Sequence, residues 1–236
     1  MGTSFVILAA GRGTRLGGAV PKPLTVLEDG RTILQQQLAN LTDAFGRAAL
    51  AKTFVVVGHR ASMIRSSLPE AVHTVLNSDY FVTNTSKSLA RALEVVPKED
   101  GVVWLNGDVV FDAEILKRAQ RLIDSEQSFA VVDSQSTGEE EVKYRLNGEG
   151  FIEEISKTVS SPQGEAVGIN YVSVRDRPIF LRALQGVAPE DYFEAAMERS
   201  SLSGVGWRSL SVGNSYAVEV DFPEDLLRAN EVQSQS

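Results

Sequence analysis

The chain has 236 residues, no cysteine, 43% hydrophobic residues and a net charge of −8. These values suit one α/β domain with a sizeable core. They exclude disulfide and thiolate chemistry and argue against a broad nucleic-acid or anionic-membrane surface. An acidic protein that binds phosphates needs local basic residues and a metal cation to do so. The N-terminus lacks the basic start and long apolar core of a signal peptide, so a cytoplasmic protein is expected.

Strand-like and helix-like segments alternate through the first half. Ser4 to Ala10 reads as a buried strand, and Thr32 caps a helix to about Ala44 whose Ile33, Leu34, Leu38 and Leu41 share a face. Thr53 to Gly58 is a continuous apolar run, as in a strand covered on both sides. A short helix from Ala61 to Leu68, a strand from Val72 to Leu76 and a helix from Ser86 through Val96 follow. Then come a strand from Val102 to Leu105, a helix from Ala113 to Asp124 and a strand from Phe129 to Val132. This alternation predicts an α/β fold with a doubly wound, mostly parallel Rossmann-like sheet, its ligands at the strands' carboxyl ends.

The second half predicts a small β-rich subregion. Val142 to Leu146 and Phe151 to Ser156 read as a hairpin around Asn147-Gly148-Glu149-Gly150, with a further strand from Ala166 to Val174. Helices from Pro178 to Leu184 and Pro189 to Arg199, strands at Trp207 to Val212 and Ala217 to Val220, and a helix from Pro223 to Val232 complete the chain. We expect a single domain over 1–232, with a nucleotide-binding half (1–133), an acceptor-binding and closing half (134–232), and a disordered tail at 233–236.

The first strand stops at Leu8-Ala9-Ala10-Gly11-Arg12-Gly13-Thr14-Arg15-Leu16, and Pro21-Lys22-Pro23 lies just beyond. Gly11 and Gly13 would let the backbone adopt positive φ and come close to a ligand. Successive N–H groups in such a loop cradle anionic oxygens, and Arg15 and Lys22 add fixed positive charge. A nucleoside-triphosphate loop is the reading. The dinucleotide pattern wants a third glycine where Leu16 stands, and no Gly-Lys-Ser/Thr follows, so neither that motif nor a P-loop is present.

Asp108 follows the apolar run Val102-Val103-Trp104-Leu105 and the pair Asn106-Gly107, where a carboxylate could hold a cation or simply make a turn. Asp221 closes Tyr216-Ala217-Val218-Glu219-Val220, with Glu219 on the same strand face. It could serve as a ligand, as one half of a capping box with Glu224, or as both. Hard oxygen donors and no cysteine point to Mg²⁺ rather than zinc. His59 and His73 have no partner spacing that suggests catalysis.

The N-terminal string, the segment around Asp108, the polar run Asn77 to Leu89 and the segment 214–226 together resemble the nucleotidyltransferases that make nucleotide sugars and CDP-alcohols. The likeness is greatest to the short cytidylyltransferases of the phosphocholine and phosphonate type. It implies a GT-A-like nucleotidyltransferase fold and transfer of CMP from CTP to a small phosphate- or phosphonate-bearing acceptor, with release of pyrophosphate.

By that resemblance Leu8, Ala9 and Ala10 present backbone groups to the base. Gly11, Gly13, Thr14, Arg15 and Gly107 belong to the nucleotide site, Lys22 stabilises the α-phosphate, and Ser88 contacts the nucleotide. Asp108 and Asp221 would hold Mg²⁺, with Glu219 the fallback, and Arg15, Lys22 and Asp108 are the catalytic set. Lys87, Lys157 and Asn170 are assigned to the acceptor, Lys143 with less claim. A choline head would want an aromatic cage, for which Tyr80, Phe81, Tyr171, Tyr192 and Phe193 are available. Lys87 beside it would be a poor neighbour, which favours a phosphonate, polyol phosphate or sugar phosphate. No nucleic acid or membrane partner is expected, and a homodimer is allowed for. The rival readings are a sugar-1-phosphate nucleotidyltransferase and a non-catalytic nucleotide-binding module.

Overall fold

Strand β1 (Gly2–Ala9) is apolar from Phe5 onwards because that part is covered on both faces. Phe5, Ile7 and Ala9 pack on one side, and Val6, Leu8 and Ala10 on the other. In the computed structural model, which describes residues 2–13, 20–135, 138 and 141–234, it lies near the middle of a mixed sheet. The neighbouring strands are β2 (Thr53–Val57), β3 (His73–Leu76), β4 (Asp100–Asn106), β6 (Phe129–Asp133), β9 (Glu165–Val172) and β10 (Arg208–Ser211). Their order is β10-β6-β9-β4-β1-β2-β3. Every pairing along this path is parallel except those of β9, which runs antiparallel between β4 and β6.

Two helical layers close the sheet. Helices α1 (Ile33–Phe45), α2 (Ala61–Ser67) and α4 (Glu114–Asp124) bury Leu34, Leu38, Leu41, Ile64, Ile115 and Leu116 against one face. Helices α3 (Thr85–Val95), α5 (Arg177–Gly186) and α6 (Phe193–Ser201) cover the other. Beneath these, Trp104 stacks on Phe180 at 5.3 Å and meets Phe193 and Trp207 edge-on at 5.5 and 6.0 Å. Such aromatic pairs add roughly 0.5–1.5 kcal/mol beyond the area they bury. The capping box at the start of α1 forms between Thr32 and Gln35.

A hairpin of β7 (Lys143–Leu146) and β8 (Ile152–Ser156) joins the sheet rim through Lys143 and Glu165. A separate antiparallel pair, β5 (Val109–Phe111) with β11 (Ala217–Glu219), lies under α7 (Pro223–Ser234). The sequence pattern did not predict β5, a segment too short to show a period. The helix expected from Pro189 begins at Phe193 because α3 engages the preceding backbone. Asn84 N–H donates to Pro189 O, Asn84 Nδ2 to Glu190 O, and Ser86 Oγ to Asp191 O at 2.6 Å. Asn84, not Ser86, caps α3. Helix α7 continues to Ser234, into the segment expected to be disordered, and Gln233 donates to Asp29; residues 235–236 lie outside the described residues. Among the described residues no helix is long and apolar enough to cross a membrane.

Candidate active site

At the carboxyl edge, β1 and β4 lead into loops that nearly touch. Gly107 N–H donates to Leu8 O at 3.0 Å, and a Cβ on Gly107 would lie 2.5 Å from that oxygen. Only glycine lets the two strand ends close in this way. Of the two loop glycines, Gly13 takes positive φ (54°) while Gly11 does not. Thr14 and Arg15 lie outside the described residues.

Pro21 and Pro23 frame a short 3₁₀ turn, Lys22–Leu24, in which Pro23 is buried. Prolines pre-set φ and resist continuation into a longer helix, so Lys22 is held at the turn with its stem against Gly13. Its ammonium lies 3.3 Å from Asp108 Oδ2 and also bonds Asp221 Oδ1. The β5–β11 ribbon sets the carboxylates side by side: Val220 N–H donates to Asp108 O at 2.9 Å, and Asp221 follows directly. The capping box expected between Asp221 and Glu224 does not form. Asp225 reaches back instead, accepting from the N–H groups of Asp221 and Phe222 at 3.1 and 2.8 Å.

Two carboxylates converging on one ammonium make a donor set suited to a hard divalent cation, which takes oxygen ligands and keeps water or substrate oxygens in its other positions. Among the described residues no cluster of three or more acidic, histidine or cysteine side chains has the geometry of a complete metal site. Glu219, the fallback ligand, is occupied by Asn106 Nδ2 at 2.7 Å. Burial and the nearby Asp108 charge push its carboxyl well above the usual range.

These groups line one cleft of about 330 Å³. Leu8, Ala10, Gly11, Gly13, Lys22, Ser88, Gly107, Asp108, Lys157 and Asp221 all reach it, and Ala9 borders an adjoining smaller recess. Ser88 approaches from the β2–β3 side, Glu219 and Lys157 from the β9 side. The cleft therefore straddles the point where strand order reverses about β1, where doubly wound sheets bind ligands.

Two assignments to the acceptor need correcting. The Lys87 ammonium donates to Leu184 O, Gln185 O and Val187 O at 2.8, 3.2 and 2.7 Å. It satisfies the carboxyl end of α5, where a cation also suits the helix dipole. Asn170 is buried in mid-sheet opposite Trp104, because antiparallel β9 turns its other end towards the cleft. Lys143 Nζ points to Lys157 O at 3.4 Å. Of the aromatics, Tyr80, Tyr192 and Phe193 line the cleft, while Phe81 is exposed and Tyr171 stacks on Phe129 in the core.

Glu194 and Glu141 also line the cleft and were not singled out from the sequence. Glu194 is 6% exposed, and its Oε2 has no hydrogen-bond partner among the described residues. Burial pushes its carboxyl up to about 7, an effect partly offset by the Lys157 ammonium. That ammonium sits 5.5 Å over the Tyr192 ring. The signal available was a lone glutamate in the first turn of an otherwise apolar helix face, obscured by the misplaced start of α6.

A doubly wound sheet with its crevice at the carboxyl edge defines the class as an α/β ligand-binding fold. Residues 5–189 match the family of MobA-like NTP transferase domains, and the chain belongs to that family, one of nucleotidyltransferases. Over 133 residues it is 35% identical to the bifunctional protein GlmU of Gloeobacter violaceus, covering 53% of this chain and 26% of that protein. Over 119 residues it is 27% identical to the GlmU of Clostridioides difficile, covering 50% and 24%. The matched stretch thus spans about a quarter of these curated relatives.

Among solved structures, the inositol-1-phosphate CTP transferase of T. maritima superposes with a TM-score of 0.78 at 19% identity, covering 98% of this chain and 95% of that one. The CTP:phosphocholine cytidylyltransferase of Streptococcus pneumoniae gives 0.75 at 16%, covering 99% and 100%. These two likenesses establish the fold.

Proposed function

We propose that the protein transfers CMP from CTP to a small acceptor bearing a phosphate or phosphonate, releasing pyrophosphate. The observation that carries this is the convergence of Lys22, Asp108 and Asp221 in one cleft with the Gly11–Gly13 loop. CTP as donor follows the sequence resemblance, in keeping with the two CTP-using structural neighbours.

An acceptor oxygen, already anionic at neutral pH, attacks the α-phosphorus. The bond to the bridging oxygen of the β-phosphate breaks, and pyrophosphate departs in line. Such a nucleophile needs no general base, so catalysis is positioning and charge neutralisation. Lys22 neutralises the α-phosphate, and the loop amides receive the departing phosphates. Arg15 shares that role by resemblance. Asp108 and Asp221 are the residues that would hold Mg²⁺, which when bound supplies further neutralisation of the phosphate oxygens.

The acceptor's far end meets Glu141, Glu194, Glu219 and the Tyr192 ring, with Lys157 among them. Lys87 is engaged elsewhere, but the Lys157 ammonium over the Tyr192 ring takes its place as a poor neighbour for a cationic head, and a group rich in hydroxyl donors suits this lining. A sugar 1-phosphate is the second reading, supported by the same carboxylates, which suit hydroxyls. The test is pyrophosphate release from each of the common nucleoside triphosphates with phosphocholine, 2-aminoethylphosphonate, polyol phosphates and sugar 1-phosphates. CTP with a phosphate or phosphonate ester is the expected pair. Binding without turnover in any combination would favour a non-catalytic nucleotide-binding module.

A further inference from the structure

Asn77 follows β3 at the carboxyl edge of the sheet, and its side chain is fully buried. The backbone N–H of Asp79 donates to it at 3.1 Å. A backbone N–H can only donate, so the side-chain atom facing it must be Oδ1, and the amide orientation is settled by chemistry. The NH₂ group then faces Thr83 Oγ1 at 3.1 Å and Ser88 Oγ at 3.0 Å, one hydrogen to each. Thr83 passes its own proton to Asp79 O at 2.8 Å. The Ser88 oxygen is therefore an acceptor towards Asn77. Among the described residues the hydroxyl shows no hydrogen bond in which it must donate, while the side chain lines the cleft.

We propose that Asn77, which does not itself line the cleft, is a positioning residue. By facing the Ser88 oxygen with its NH₂ it keeps the hydroxyl proton off the buried side and available to the nucleotide, where the atom it meets is an acceptor on the base. Cytosine offers two on one edge, its C2 carbonyl oxygen and ring N3. The inference rests on the nucleotide reading of the cleft and adds the polarity with which the base is read.

Asn77→Asp keeps shape but exchanges the NH₂ for an acceptor, which draws the Ser88 proton inward and turns a lone pair towards the base. Expected are a rise of about tenfold or more in Kd and KM for CTP, with kcat within about threefold. Ser88→Ala should lose as much, and the double variant should be no worse than either single one. Should Asn77→Asp fail to fold, Asn77→Ala carries the test: its loss of CTP affinity should vanish in the Ser88→Ala background. Equilibrium CTP binding, measured with the melting temperature, makes the readout independent of turnover. Losses that multiply, or a loss confined to the acceptor KM, would overturn the inference. So would unchanged CTP affinity in a folded Asn77 variant, even while the wild type turns CTP over. If the wild type does not bind CTP at all, the nucleotide reading falls with it.

Discussion

Lys22 and Asp108 stand 86 residues apart in the chain, yet the lysine ammonium lies 3.3 Å from the aspartate oxygen. Both side chains are more than two-thirds buried, at 13% and 26% exposure, so solvent screens this contact less than it would a surface pair. Removing either charge from a site that works by neutralisation should cost about 10²–10³ in turnover. Lys22→Ala and Asp108→Asn are expected to lose that much pyrophosphate release while their melting curves stay near wild type. Full activity in either variant would remove that residue from the chemistry.

Lys87 supplies a contrasting case. Its ammonium closes three carbonyls at the end of α5, so Lys87→Met should destabilise by about 1–3 kcal/mol through acceptors left unpaired. The KM for the acceptor should stay within about twofold. A selective rise in that KM at unchanged stability would return Lys87 to the acceptor site.

The Glu194 carboxyl titrates near 7 in the folded protein against 4.5 as an ordinary side chain. The folded state therefore holds more protons than the unfolded state between those values. Its contribution to stability declines as pH rises through that window and levels off above about 7. Glu194→Gln removes this component, so its melting temperature should gain on wild type from pH 4.5 to about 7 and then run parallel. Curves parallel throughout would show that the carboxyl is not held in its neutral form.

Arg177 is 4% exposed and donates to Leu93 O, Val96 O, Pro97 O and Asp100 O, tying the end of α3 to the start of β4. Arg177→Ala removes the donor from the buried Leu93, Val96 and Asp100 carbonyls, while Pro97 O keeps the Asp100 N–H, and should cost about 3–5 kcal/mol, read as a lower denaturant midpoint with the slope unchanged. A loss under about 1 kcal/mol would mean that water or a neighbour replaces the guanidinium.

The first half of the chain was readable because its signals are local. An apolar strand breaks at glycines, prolines flank a lysine, and Thr32 with Gln35 marks the start of a helix. The residues assigned to an acceptor were less so, since they are fixed by long-range packing. Direction along β9 decided Asn170: the antiparallel course carries the residue away from the edge that a parallel strand would have shown. Lys87 and Glu194 turned on helix phase, and the start of α6 is dictated by hydrogen bonds from Asn84 and Ser86, about a hundred residues earlier. Asp225 in place of Glu224 as the side chain that reaches back at the start of α7 reflects one residue of register, within the usual uncertainty of helix ends.

The β5–β11 ribbon has a consequence for how the molecule is made. Asp221, just beyond its second strand, is made well after Lys22 and Asp108, so the nascent chain carries those two residues before their partner exists. A product cut short before Ala217 could still assemble the parallel core, yet would have half of the carboxylate pair. On the proposed role of that pair, abortive translation would yield fragments that bind the nucleotide's phosphates without completing the reaction.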